Sequence, residues 1–227
     1  MCGRFTLTTP EELIAEVFGL EQTPHLSARY NIAPTQDVAA VVQAGGKRQL
    51  ELLRWGMLAP GEADREDALL INARAETVAT KPVFRESFRA RRCLVPADGF
   101  YEWRKAGSRR EPFHIRLRDR RPFAFAGLWS EETDAAAGGT RRTCAVLTTE
   151  PNAVMDGIHD RMPVILEPGA FAAWLDTPPA SAAALQPLLR PYPAERMEAV
   201  RVSSYVNGAA AEGPRCLEPE RQGNLFD

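Results

Sequence analysis

The sequence has no long apolar run, no closely paired cysteines and no excess of positive charge, and each absence removes a class of protein. No stretch approaches the roughly 18 apolar residues that cross a membrane, so no membrane partner is expected. Thr9, Pro10, Glu11 and Glu12 arrive too soon for a basic-then-apolar leader. The expected location is therefore the cytoplasm, with the nucleoid if the source is bacterial. Cys2, Cys93, Cys144 and Cys216 include no C-x-x-C pair, which argues against a zinc or dithiol motif. Free thiols, no metal and no small-molecule cofactor are the expectation. The net charge of -2 excludes a global field that gathers nucleic acid.

What is present is an ordinary globular composition, 44% hydrophobic and 26% charged over 227 residues. One domain over residues 1–207 and a mobile polar tail over 208–227 are expected, with a monomer as the default. Arginine is clustered despite the neutral total. Arg85, Arg89, Arg91 and Arg92 form one group, and Arg104, Lys105, Arg109 and Arg110 another. Such groups are either solvated faces or a local basic groove.

The pattern predicts an α+β domain, mostly antiparallel strands with helices packed outside. Thr9 reads as a cap with Pro10 first in a helix that carries Leu13, Val17 and Phe18 to a stop at Gly19. Residues 38–43 and 48–55 read as strands around the Gly45-Gly46 hairpin, and 69–78 as extended. Lys81 to Arg91 reads as a helix with Phe84 and Phe88 on one face. Strands follow at 93–96, 99–103, 113–117, 123–128 and 144–148. A helix turn is expected at 152–155, a strand at 162–166, helices at 171–175 and 180–189, and a last strand at 197–202. Cys93 and Cys144 sit in apolar runs and read as core.

Several polar residues stand where chemistry could use them. If Met1 is removed, Cys2 carries a thiol and a free α-amine on adjacent carbons. An amine with pKa near 7.7–8.0 is a good nucleophile at neutral pH, and the thiol is a second one. Together they can trap an aldehyde as a Schiff base closed by sulfur into a five-membered ring; otherwise Cys2 is an accident of the terminus. Asn72, Arg74 and Glu76 share a face if extended, as a cleft wall or a solvated face. Glu102 lies between Tyr101 and Trp103, where a carboxylate's charged form is disfavoured and its pKa rises; an exposed edge-strand Glu is the alternative. His159 precedes an apolar strand and can shuttle protons near neutral pH, or serve structure alone. His114 sits in a strand pattern and reads as exposed.

Taken together these segments resemble the SRAP family, the SOS response-associated peptidases or abasic-site processing proteins. The resemblance rests on Met1 to Phe5, Tyr30 to Gln36, Trp55 to Met57, Ile71 to Thr77, Arg92 to Trp103, Phe123 to Trp129 and His159 to Leu166, in the family's order. Arg92 to Trp103 is the most specific run. The resemblance implies a β-barrel-like core with flanking helices, and single-stranded DNA containing abasic sites as the partner. It implies that Cys2 forms a thiazolidine with the ring-opened sugar, with strand-cleaving lyase and self-processing peptidase activity beside it. Asn72 would orient the Cys2 amine or the sugar, Glu102 would act as acid and base, and His159 would assist proton transfer. Arg4, Arg74 and Arg161 would contact phosphate, and Trp55, Phe84 or Phe88 could stack on bases. One departure is that no second tryptophan follows Pro60, where the chain continues Gly61-Glu62-Ala63-Asp64. Met-Cys-Gly also opens class II glutamine amidotransferase domains, but the later segments have no role there. A binding module without chemistry is the other alternative.

Overall fold

Tight hairpins organise the fold. The computed structural model describes residues 2–58, 69–134 and 138–220. The chain runs through β1 (Phe5–Leu7), α1 (Glu11–Phe18), β2 (Arg29–Ile32), β3 (Asp37–Ala44), β4 (Lys47–Trp55) and β5 (Asn72–Arg74). Then come α2 (Pro82–Ala90), β6 (Arg92–Ala97), β7 (Gly99–Ala106), β8 (Arg109–Leu117), β9 (Phe123–Asp134) and β10 (Gly139–Thr149). It ends with β11 (Met162–Pro163), β12 (Ile165–Leu166), α3 (Phe171–Asp176) and β13 (Met197–Arg201). Gly45 and Gly46, at φ 59° and 79°, supply the two positive-φ positions of the turn that joins β3 to β4.

β10 pairs with both β9 and β4, so the order β10-β4-β3-β6-β9 closes into a five-stranded barrel. Closure removes the sheet edges that would otherwise need covering. β10 runs parallel to β4 at Arg54 and Trp55, and then parallel to β5 at Asn72 to Arg74. Two separate pieces of chain thus occupy one side of β10, and the second delivers Asn72. A second, antiparallel sheet, β13-β8-β7-β1-β2, flanks the barrel. The sheets meet through Phe5, whose ring stands edge-on to Trp55 and Phe125 at 5.3 and 5.6 Å. Burying each such ring is worth about 2–3 kcal/mol, so the strand that follows Cys2 is anchored in the core.

The α+β reading therefore holds as a mixed fold with a small closed barrel and a flanking antiparallel sheet, and helices are few. α1 buries Ile14 and Phe18 and stops at Gly19 with φ 66°. Its expected Thr9 cap is absent, because Thr9 is drawn away to Asp98 and Pro10 takes the cap position. Residues 75–80 form turns rather than extended chain. Residues 152–155 form a turn, and the strand at 162–166 is broken into two short pieces. Pro179–Leu188 is a 3-10 run with Pro187 inside it, not an α-helix, since an interior proline removes a donor and clashes with the preceding turn.

The expected mobile tail is corrected as far as Glu220. Cys216 is fully buried with Tyr101, Val202 and Val206. Asn31 Nδ2 donates to Gly208 O and Ala211 O at 3.0 and 2.8 Å. The composition looked too polar to bury, but Val206, Cys216 and Leu217 find their apolar partners on the flanking sheet. The loop after Pro60 lies outside the described residues.

Candidate active site

The site forms where the start of the chain meets β5, β7 and the loop before β11. Asp98 sets its frame. This carboxylate accepts five hydrogen bonds: from the hydroxyls of Thr6, Thr8 and Thr9 at 2.5, 2.8 and 3.0 Å, and from the backbone N–H of Thr8 and Thr9 at 2.5 and 2.8 Å. The clasp fixes β1 against β7, where Phe5 pairs with Phe100, and so fixes the segment that carries Cys2. Charge-assisted bonds of this kind are about twice as strong as neutral ones.

His114 supports the clasp from below, and it is buried rather than exposed. Its Nε2 lies 3.1 Å from Thr6 Oγ1. A Cβ on Gly99 would meet that nitrogen at 2.1 Å, which is why a glycine follows Asp98. Burial pushes the His114 pKa down to about 4, so the ring is neutral.

Above the clasp, Asn72 Nδ2 donates to the Cys2 carbonyl at 3.0 Å. Glu102 lies within electrostatic reach of the Cys2 thiol, and His159 Nε2 is 3.9 Å from Glu102 Oε2. Four predicted residues, Cys2, Asn72, Glu102 and His159, are thus brought together from four parts of the chain. Glu102 is buried, and desolvation raises its pKa to about 7. It is therefore divided between acid and carboxylate at neutral pH. Cys2 is also buried, and desolvation together with the Glu102 charge holds its thiol well above the usual range. A thiol in that state is a poor nucleophile.

His159 is presented by a turn that Asn152 nucleates, its Oδ1 accepting from Val154 and Met155 N–H at 3.0 and 3.3 Å. His159 Nδ1 accepts from the Arg161 N–H at 3.0 Å and lies 2.9 Å from Asp160 Oδ1. The Arg161 N–H calls for an accepting Nδ1 and the Asp160 carboxylate for a donating one, so the two contacts favour opposite tautomers of the neutral ring. Burial lowers the His159 pKa.

The three arginines differ. Arg74 is exposed and lines a cavity of about 700 Å³ with Leu69, Leu70, Ile71, Asn72, Thr77, Thr80, Lys81, Phe84 and Thr148. Arg161 holds Glu76 through two bonds of 2.7 and 2.9 Å and donates to Thr148 O at 2.6 Å. Arg4 turns away, to Asn31 Oδ1 at 2.8 Å and Val206 O at 3.3 Å, with its guanidinium 5.8 Å from the Trp103 ring centre. Arg92 is buried, donating to Trp174 O and Phe88 O at 2.5 and 2.8 Å. Trp55, Phe84 and Phe88 are also buried, so none of the three offers an open stacking face.

Thr148 was not legible in the sequence. Its hydroxyl, the Asn72 Oδ1 and the Arg161 Nε are buried without a hydrogen-bond partner among the described residues. Such atoms cost about 1–3 kcal/mol each, and Asn72 and Thr148 both line the cavity. Among the described residues no group of three or more His, Cys, Asp or Glu could hold a metal, and no helix is long and apolar enough to cross a membrane.

The mixed fold thus gathers a buried thiol, a desolvated carboxylate and a histidine near Asn72, which also lines the cavity. The chain belongs to the family described as SOS response associated peptidase (SRAP), whose sequence model matches residues 1–209. It is 40% identical over 223 residues to the abasic site processing protein YoqW of Bacillus subtilis, covering 96% of this chain and 99% of that one. It is 33% identical to the abasic site processing protein YedK of Escherichia coli, over 77% and 79% of the two chains. A crystal structure of a protein from Bacteroides thetaiotaomicron superposes with a TM-score of 0.84 at 26% identity, covering 97% of this chain and all of that one.

Proposed function

We propose that this chain processes abasic sites in single-stranded DNA by bonding to them covalently through Cys2 after loss of Met1. The observation that carries the reading is the cluster itself: Asn72 on the Cys2 carbonyl at 3.0 Å, beside a Glu102 that titrates near 7 and a His159 at 3.9 Å from it. The names of the relatives, abasic site processing proteins, point the same way.

The chemistry follows from what each group can do. Protonated Glu102 helps open the hemiacetal to the aldehyde. The Cys2 amine adds to the aldehyde carbon, and the carbinolamine loses one water to become a Schiff base. Cys2 Sγ then adds to the imine carbon and its proton passes to nitrogen, closing the thiazolidine. Each step needs a proton moved at a fixed position, which Glu102 and His159 supply. Asn72 orients the Cys2 backbone, and the cavity beside it, with Arg74 and Lys81 on its wall, takes the neighbouring nucleotide. Arg74 and Arg161 are the phosphate contacts in this scheme. Arg4 serves instead to tie the Cys2 segment to the chain around Val206. The Schiff base also acidifies the adjacent sugar carbon. Loss of that proton with expulsion of the 3′ phosphate gives lyase activity, and hydrolysis at the Met1–Cys2 bond gives the self-processing peptidase activity.

Burial of Cys2 fits this order of events, because a thiol that desolvation keeps protonated leaves the first attack to the amine and adds only once the Schiff base has formed. The test is to mix purified protein with single-stranded DNA carrying one abasic site and run a denaturing gel. A shifted band is expected for wild type and lost in Cys2→Ala. No band from wild type whose Met1 is shown by mass spectrometry to be gone contradicts the reading.

A further inference from the structure

β7 does not end at the site. It continues from Glu102 through Trp103, Arg104 and Lys105 to a two-residue turn, Gly107-Ser108, and returns as β8 through Arg109 and Arg110. Gly107 has φ 61°, which the first position of such a hairpin turn requires. The result is an exposed two-stranded ribbon rooted in the active site. It carries Arg104, Lys105, Arg109 and Arg110 on a chain whose net charge is -2.

The cations divide into two kinds. Arg104 is committed to Glu111 at 2.6 Å, and Arg201 of β13 holds the same carboxylate at 3.0 Å. Lys105, Arg109 and Arg110 have no acidic partner among the described residues. Lys105 also stands directly opposite Arg110 in the strand register. Like charges placed so are destabilising, and a ribbon shaped by stability alone would alternate its signs there. Aromatic surface accompanies the charge. Half-buried Phe113, which pairs with Glu102, lies under the Arg104 guanidinium at 4.9 Å, and half-buried Trp103 follows Glu102 on the strand.

We infer that the β7–β8 ribbon is an arm that binds the phosphate backbone of the DNA strand running on from the lesion, with Lys105, Arg109 and Arg110 as the contacts. The inference rests on the reading of the site given above. Distance sets the reach. At about 3.3 Å per residue, Lys105 lies about 10 Å along β7 from Glu102, and alternation puts Arg109 on the Glu102 face of the ribbon and Lys105 with Arg110 on the other. The arm therefore touches the strand beyond the abasic sugar, where it passes over the tip of the ribbon from one face to the other. It recognises charge and not sequence, and its role is to raise the rate of productive encounter on a protein that lacks a global positive field.

The test compares wild type with the triple variant Lys105→Gln, Arg109→Gln, Arg110→Gln on two abasic oligonucleotides. One is a 3-mer with the lesion central, too short to reach the arm, and the other a 21-mer. Adduct formation is followed at limiting protein over a range of salt. The side chains are exposed and a like-charge pair is removed, so the urea midpoint should hold or rise. On the 21-mer the variant should be about tenfold slower near 0.1 M salt, with a salt slope about 2 smaller, as three lost single-strand contacts require. On the 3-mer it should match wild type. Equal rates and slopes on both oligonucleotides overturn the arm as a merely solvated ribbon. Equal slowing on both also overturns it, by placing the cations at the site itself. If wild type forms no adduct with either, the covalent reading fails separately. The arm is then read from non-covalent binding of an undamaged 21-mer, where the same loss and the same smaller slope are expected, and no difference overturns it.

Discussion

Asp98 and Glu102 are four residues apart, yet they sit in opposite environments. Asp98 accepts five hydrogen bonds and clamps the start of the chain. Glu102 is desolvated, titrates near 7 and faces His159 and Cys2. The first carboxylate is engaged by donors on every side, and the second is divided between acid and carboxylate at neutral pH. Beside the cavity, Asn72 Oδ1 and Thr148 Oγ1 are buried without a hydrogen-bond partner among the described residues.

The largest expected effect breaks the frame. Asp98→Ala strands the Thr6, Thr8 and Thr9 donors and should cost about 3–5 kcal/mol of stability in urea unfolding. A cost under about 1 kcal/mol would show that the clasp is not structural.

Glu102→Gln should act in the opposite sense on stability. The folded pKa of Glu102, about 7, lies above its ordinary 4.5. Its contribution is fully present below pH 4.5 and is lost as pH rises through 7. The neutral glutamine avoids that loss. The variant should match wild type at pH 4.5 and exceed it by on the order of 2–3 kcal/mol at pH 8, while adduct formation slows about 10²–10³-fold. A variant that is destabilised at pH 8 would remove the contrast with Asp98.

His114 has the reverse slope. Its folded pKa, about 4, lies below the ordinary 6.5, so the unfolded chain binds the proton first. Stability should fall as pH drops from 6.5 toward 4, by on the order of 2 kcal/mol from this group. Replacement by glutamine should flatten that limb of a urea midpoint against pH curve, and an unchanged curve would contradict the buried neutral ring.

The smallest effect sharpens the site. Thr148→Val removes a buried hydroxyl that has no partner, so stability should stay level or rise by up to about 1 kcal/mol. A loss above 1 kcal/mol would mean that the hydroxyl serves the frame.

Much of this was legible in the sequence. The Gly45-Gly46 hairpin, α2 with its buried Phe84 and Phe88, and the core cysteines Cys93 and Cys144 follow from local pattern. The cluster of Cys2, Asn72, Glu102 and His159 was legible through resemblance, since no spacing brings residues 2 and 159 together. What was hidden depends on tertiary contact. Barrel closure through β10, the use of Thr9 by Asp98, the burial of His114 and the packing of Cys216 are decided by partners far along the chain. The arginines looked alike in sequence, but only the fold divides Arg92 in the core from Arg4 on Val206 and from Arg74 on the cavity wall.

The most direct measurement is the mass of the adduct peptide after digestion of the protein–DNA complex. The account predicts a peptide that begins at Cys2, carries the abasic sugar with loss of one water and forms without borohydride. It also predicts that Cys2→Ser is trapped only when borohydride reduces the Schiff base. An adduct mapped to any other residue, or a Cys2→Ser protein whose unreduced adduct is as stable as that of wild type, would contradict the thiazolidine.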